Sequence, residues 1–403
     1  MAIVRSVSPT RRRGAITARL SAAVVVVALL AACSDGPAGT APGDFVPPPI
    51  PMAEPGAVVE GEVNLVVWAG YADKSWTDPF TKSTGCRVNA TEAGSSDEMV
   101  ADVKSGQYDV VSASGDASLR LIASGDVAPV DVTKVPSYAQ IYSTLKDQPW
   151  NTAAGVHYGI PHGRGANVLV YNKDKVTTPP TSLGAIFDPD PTVAGHVTVY
   201  DSPISIADAA LYLMAHEPSL GIKNPYALDH DQFAAAIALL TKLQPTIGHY
   251  WSDTTTQLND LMNGTDLVGT SWQVVLNTLA GKGRKDIVAV KPVEGVTGWS
   301  DTWMIAAGAK NPTCAYKWLD YITSPTVNAK VAEFYGEAPA NSQACGKTSD
   351  PGFCATYHAD DKAYWENVYY WTTPTARCLD KRTDVTCVPY SDWVTAWNRI
   401  KQK

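Results

Sequence analysis

"SSDEMVADVKSGQYDVVSASGD", residues 95–116, decides how the chain folds. Its first half reads as a helix opened by a capping box, with Ser95 followed three residues later by Glu98. Its second half, "YDVVSASGD" (108–116), reads as a strand that runs out into a loop of small residues. Just upstream, "VNLVVWAG" (63–70) is an apolar, β-branched run, a second buried strand. Strand, helix, strand, helix in succession predicts a doubly wound α/β lobe. In such sheets ligands bind beyond the carboxyl ends of the strands. Function is therefore expected in the residues that follow them: Trp68, Tyr71 and Asp116.

Further along, "GIPHGRGANVLVYNKDKV" (159–176) breaks the rhythm with Gly and Pro and reads as a crossing into a second lobe. There "VTVYDSP" (197–203) is a strand with Asp201 at its end, and "SIADAALYLMAH" (205–216) is a helix. "HDQFAAAIALLTKLQP" (230–245) is an amphipathic helix, and "DLVGTSWQ" (266–273) is a strand ending at Trp272. "TGWSDTWMIAAGAKNP" (297–312) then places Asp301 between Trp299 and Trp303. A buried carboxylate is tolerated only when paired, and a bound cation can be the partner. Tryptophan faces attract ammonium groups by about 0.5–2 kcal/mol each. If the strands belong to two facing lobes, Trp68, Asp116, Asp201, Trp272, Trp299 and Asp301 converge on one cleft. Trp303, Trp318 and Trp365 read as core, and His162 as a hinge or core residue.

The amino terminus is of another kind. Five arginines without an acid precede "LSAAVVVVALLAA" (20–32), the pattern of a signal peptide with an apolar run too short for a comfortable membrane span. "LLAAC" resembles a lipobox and makes Cys33 the expected lipidation site. Residues 34–63 are rich in Pro, Gly and Ala and read as a disordered tether. The formal charge is −8. It falls to −13 once the five arginines of residues 1–32 are removed. An acidic exported body argues against nucleic acid or anionic lipid as partner. Six cysteines remain: Cys86, Cys314, Cys345, Cys354, Cys378 and Cys387. An even number in an exported chain implies disulfides. Short loops favour Cys345–Cys354 and Cys378–Cys387, leaving Cys86–Cys314. No CxxC, HxxxH or HExxH occurs, so neither a metal nor another cofactor is expected.

"YDVVSASG", "SWQ", "GWSD", "AKNPTCAYKWLDYITSPTVNAKVAEFYGEAPAN" and the lipobox together resemble the periplasmic spermidine/putrescine-binding proteins of bacterial ABC importers. The resemblance covers most of residues 63–403. It implies a two-lobed periplasmic-binding-protein fold of type II: two doubly wound α/β lobes joined by a hinge that close on a ligand. It also implies roles. Trp68 matches the aromatic after the first strand, Trp272 and Trp299 the tryptophans that sandwich a polyamine's methylene chain, and Asp301 the carboxylate that meets an amine. Asp201 matches an acid of the second lobe. Glu337 falls where the family has an aromatic and is a candidate substituted anchor. Two departures stand out: Ala69 and Gly70 replace the family's Thr and Glu, and Asp116 replaces a Tyr. Arg164, at the crossover, would oppose a diamine if it faced the cleft and favour a zwitterionic or anionic solute such as an opine, an amino-acid derivative or a phosphonate.

The expected organisation is a signal peptide over 1–32, Cys33 and linker to 62, a first lobe over 63–163 that resumes over 299–343, a second lobe over 164–298, and a C-terminal segment over 344–403 packing on the second lobe. The expected role is a monomeric extracytoplasmic receptor that hands a polyamine to permease subunits and touches the membrane only through its lipid anchor. An exported hydrolase is the remote alternative. "GWSDT" lacks the closing Gly of a nucleophile elbow, and no His sits in a motif that suggests a base for Ser300.

Overall fold

The structure, a computed structural model, describes residues 46–402. The leader peptide and Cys33 lie outside the described residues. The described residues build two large sheets, each with helices on its faces, and a small two-stranded one of Thr152–Ala153 and Val156–His157.

The first sheet takes β1 (Glu62–Val67), β2 (Arg87–Glu92) and β3 (Val110–Ala113) from the region where strand and helix alternate. The intervening α1 (Lys74–Thr84) and α2 (Ser96–Lys104) make β1 parallel to both neighbours. Leu65, Val66 and Val67 are all buried, as in a parallel strand covered on both faces. Two long strands return antiparallel: β4 (Gly159–Ala166) and a later partner at Val296–Ala306. The order in this sheet, by first residue, is 338, 159, 296, 110, 62, 87.

The second sheet takes β5 (Val168–Asn172), β6 (Val197–Tyr200), β7 (Ile247–Trp251), β8 (Val268–Ser271) and β9 (Ile287–Val290) in the order β7-β6-β8-β5-β9. We label Val296–Ala306 β10, Ala338–Pro339 β11 and Val368–Tyr370 β12. The change of sheet falls at Asn167 and again between Val290 and Val296, a few residues from the boundaries expected at 164 and 299. The two crossings lie side by side: Asn167 N donates to Thr297 O at 2.9 Å. A third span between the lobes follows Val368–Tyr370, on the way to the C-terminal helix.

Helix ends follow local chemistry. Ser95 caps α2 by accepting from Glu98 N, while the Glu98 side chain reaches back to Gly94 N. α3 (Gly115–Ser124) has Ser114 at its N-cap, but that hydroxyl makes no cap bond. In the second lobe α4 (Ile206–His216) follows β6, and α5 (His230–Leu243) starts at a complete Asp229/Gln232 capping box. α6 (Thr254–Asn263) and α7 (Gln273–Gly281) flank β8, the latter capped by Trp272. α8 (Pro312–Ile322) and α9 (Pro325–Tyr335) both begin with Pro in the first turn, where its missing N–H costs nothing.

Two segments depart from expectation. Residues 46–61 lie along the first lobe instead of hanging free. Tyr316 OH donates to Ala53 O at 2.8 Å, Gly56 N to Thr313 Oγ1 at 2.9 Å, and Glu60 accepts from Thr313 N and Cys314 N at the start of α8. A carboxylate there meets unpaired helix N–H groups, a favourable pairing that composition alone does not reveal. The C-terminal segment serves both lobes. β12 pairs with β10 in the first sheet, while α10 (Tyr390–Lys401) packs on the second lobe, where the Phe233 and Trp393 rings of α5 and α10 meet at 5.7 Å. The disulfides are Cys86–Cys314, Cys345–Cys354 and Cys378–Cys387. Among the described residues no helix is long and apolar enough to cross a membrane.

Candidate functional site

β10 positions the first half of the site. All its residues are buried, and it pairs with β4 so that Trp299 opposes Gly165, Ser300 opposes Arg164 and Asp301 opposes Gly163. The register slips after Asp301, with His162 as the extra residue of a bulge. Trp299 and Asp301, two residues apart, leave the sheet on the same face. Gly163 and Gly165 give them room. A Cβ at Gly165 would come within 2.2 Å of the Trp299 ring, and one at Gly163 within 2.8 Å of the Glu337 carboxyl carbon.

On that face a chain of buried polar groups forms. Tyr71 OH lies 2.8 Å from Asp301 Oδ2 and 3.0 Å from Glu337 Oε2. Ser114, which spends no hydrogen bond on capping α3, donates to Asp301 Oδ1. Glu337 Oε1 faces His162 Nε2 at 3.3 Å, and Trp303 Nε1 donates to His162 Nδ1 at 2.9 Å. Burial pushes Asp301 up to about 7, against the pull of Ser114 and Tyr71, and pushes Glu337 well above the usual carboxylate range, with Asp301 adding to the rise. Burial lowers His162 to about 3, so it is neutral. The charges acting on Asp301 and Glu337 come from acids; no lysine or arginine is among them.

The second half of the site belongs to the other lobe. Trp272 meets Trp68 across the lobes, ring centroids 5.6 Å apart, and also packs on Tyr200, Trp251 and Trp371. Trp272, Tyr200, Trp251 and Trp371 wall a cavity of about 10 Å³ with Asn167, Ser205 and Asp208. That is room for about one water. A larger ligand therefore enters only with the lobes further apart. Asp208 accepts from Thr297 Oγ1 at 2.6 Å, which in turn accepts from Asn167 Nδ2 at 2.8 Å, so this carboxylate is linked to Asn167 through the threonine hydroxyl. Burial raises Asp208 to about 7, opposed only by the Thr297 hydrogen bond.

The expected residues divide. Trp68, Tyr71, Trp272, Trp299, Asp301 and Glu337 are all buried where the lobes meet or just beneath that surface. Asp116 is buried nearby and accepts from Ser96; burial, opposed by Arg120, raises it to about 6. Trp272 and Trp299 pack on different rings. Among the described residues Trp299's ring contact is Tyr335, at 5.3 Å. Asp201 is drawn away: its Oδ1 accepts from Trp397 Nε1 and Lys401 Nζ of the C-terminal helix, at 2.9 and 2.6 Å. Arg164, opposite Ser300, leaves the sheet on the face away from Asp301. Its guanidinium lies 4.2 Å from the Trp365 ring centre and donates to Ala359 O at 3.1 Å.

Asp208, Tyr200, Trp251 and Trp371 were not expected. The sequence does carry a sign for Asp208, a single acid in the first turn of an otherwise apolar helix that follows a strand. Tyr200 and Trp251 end their strands as Trp68 and Trp272 do. Trp371 has no such sign, since only the pairing of β12 with β10 brings it in.

Residues 75–352 match the family described as bacterial extracellular solute-binding protein. The chain is 25% identical over 360 residues to spermidine/putrescine-binding periplasmic protein 1 of Haemophilus influenzae, covering 87% of this chain and 93% of that one. It is 26% identical over 323 residues to the putrescine-binding periplasmic protein SpuD of Pseudomonas aeruginosa, with 75% and 86% covered. A spermidine/putrescine ABC transporter structure from Listeria monocytogenes shares the fold, with a TM-score of 0.72, 19% identity, and 85% of this chain and 99% of that chain covered.

Proposed function

Because the chain belongs to the bacterial extracellular solute-binding proteins, an extracytoplasmic receptor family, we propose that its solute is a polyamine, taken between the lobes and handed to an ABC importer. The observation that carries this reading is a set of acids without cations. Asp301, Glu337 and Asp208 stand where the lobes meet, no lysine or arginine is among the charges acting on them, and tryptophan faces lie beside them. An ionised carboxylate in such surroundings is costly unless a counter-charge arrives. A ligand ammonium supplies one, and its methylene chain suits the indole faces. Lobe closure then excludes water and strengthens each charge pair. The names of the two bacterial relatives favour the same solute class, and the placement of Arg164 away from Asp301 removes the cation that would have repelled it.

The test is a thermal-shift screen of the body from residue 46 onward. A ligand that binds only the folded state raises the melting temperature by mass action. Putrescine and spermidine are expected to raise it, and γ-aminobutyrate and an opine to leave it unchanged. A rise with the zwitterions alone would overturn the polyamine reading.

A further inference from the structure

We propose that Glu337 is held as a neutral carboxylic acid that donates a hydrogen bond to Tyr71, so that the first-lobe half of the site presents one negative charge, on Asp301.

The argument is a count of protons along the buried chain. Trp303 Nε1 can only donate, so His162 Nδ1, at 2.9 Å, must accept. The single proton of a neutral imidazole is then on Nε2, which faces Glu337 Oε1 at 3.3 Å, a close approach that does not meet hydrogen-bond geometry and leaves both atoms without a hydrogen-bond partner. At the far end Ser114 donates to Asp301 Oδ1. Between the two carboxyl groups stands one hydroxyl. Tyr71 OH is 2.8 Å from Asp301 and 3.0 Å from Glu337 and has one proton to give. With both acids ionised, one of them would face the buried Tyr71 oxygen lone pairs. With both protonated, Asp301 would have to turn the Ser114 hydroxyl from donor to acceptor and would lose that hydrogen bond to its charge. One proton shared by the pair makes every contact a donor meeting an acceptor.

The choice of which acid holds it follows from their surroundings. Asp301 is given hydroxyl donors on both oxygens and sits beside the first turn of α3, whose free N–H groups favour negative charge. Glu337 is given only the close approach of the imidazole N–H. The proton therefore belongs on Glu337 Oε2, which donates to the Tyr71 oxygen, while Tyr71 donates to Asp301. The other titratable or charged groups packed around the pair are Tyr335 of α9 and Asp116 of α3, neither of them a cation. Glu337 is thus a positioning residue: through Tyr71 it fixes where the charge sits. The consequence for amine capture, one ammonium pole at Asp301 and not two, rests on the polyamine reading; the protonation does not.

The test uses the ligand-free protein. Above the pKa of a free glutamate the unfolded chain loses this proton and the folded chain keeps it, so this group lowers stability as pH rises. Glu337→Gln keeps the pattern, with its amide N–H toward Tyr71 and its carbonyl toward His162, and has no proton to lose. The melting temperature of Glu337→Gln minus that of the unaltered protein is expected to increase steadily from pH 5 to pH 8. A difference that stays flat or falls would overturn the proposal. If the variant does not fold, infrared spectroscopy of the unaltered protein at pH 7 decides. A protonated-carboxyl band that shifts when glutamate carboxyls, and not aspartate carboxyls, carry carbon-13 is expected. Glu60 and Glu294, also held by hydrogen bonds, are pushed the other way and contribute no such band. Absence of a glutamate-dependent band would overturn the proposal whether or not putrescine binds. A failure of putrescine to bind would end only the polyamine reading.

Discussion

Asp301 in the first lobe and Asp208 in the second are both acids raised to about 7 by burial, yet they are held in opposite ways. Asp301 sits in a buried chain of six side chains, from Trp303 to Ser114, in which each polar group has a neighbour. Asp208 has one hydroxyl donor and opens on a ring-walled cavity. A carboxylate with both oxygens hydrogen-bonded is already organised for a cation, since nothing has to turn when the cation arrives. One with a single donor depends on what enters. Asp208 also holds Thr297, which is bonded to Asn167, so an occupant that draws on Asp208 would act on Thr297 and through it on Asn167. The first lobe therefore reads as a preset anchor and the second as a sensor tied to the hinge.

The sharpest way to break this contrast is to neutralise each acid in turn. Asp301→Asn is expected to weaken putrescine binding by about 100-fold, close to 3 kcal/mol. Asp208→Asn is expected to weaken it by a similar factor and, unlike Asp301→Asn, to alter lobe closure as seen in small-angle scattering with putrescine. Calorimetric affinities unchanged in both variants would dissolve the two-pole picture. A smaller effect concerns the backing of the anchor. Gly165→Ala drives a methyl into the Trp299 ring, and overpacking of this kind costs about 1–3 kcal/mol. The denaturant midpoint should fall accordingly; an unchanged midpoint would mean the ring moves freely. The smallest effect belongs to the cation outside the site. Arg164→Ala should lower stability by about 1 kcal/mol through loss of the Trp365 contact, yet leave putrescine affinity unchanged. A tenfold gain in affinity would place Arg164 in the cleft after all.

How much of this was legible varies with the kind of interaction. Helices and strands were, because periods of 3.6 and 2 are local. So were the disulfides, where two short loops left one long pair. The strand-end rule pointed to Trp68, Tyr71 and Trp272, which the structure buries together, whereas Trp299 and Asp301 lie inside a strand and not at its end. It misplaced Asp201, because a residue at a strand end has no knowledge of a helix almost 200 residues later that carries Trp397 and Lys401.

The amino-acid sequence by itself determined the layered α/β architecture, the family and the presence of an acid between tryptophans on one strand. These depend on residues near one another in the chain or on motifs intact within it. Only the tertiary structure decided that Tyr71, Asp301 and Glu337 share one hydroxyl, that Arg164 turns away, and that Asp208 with Trp371 completes the second half. Alternation states which residues share a face, but the face that looks into the cleft is set by register with a partner strand and by the bulge at His162. Both arise from pairings more than 100 residues apart, which no local pattern encodes.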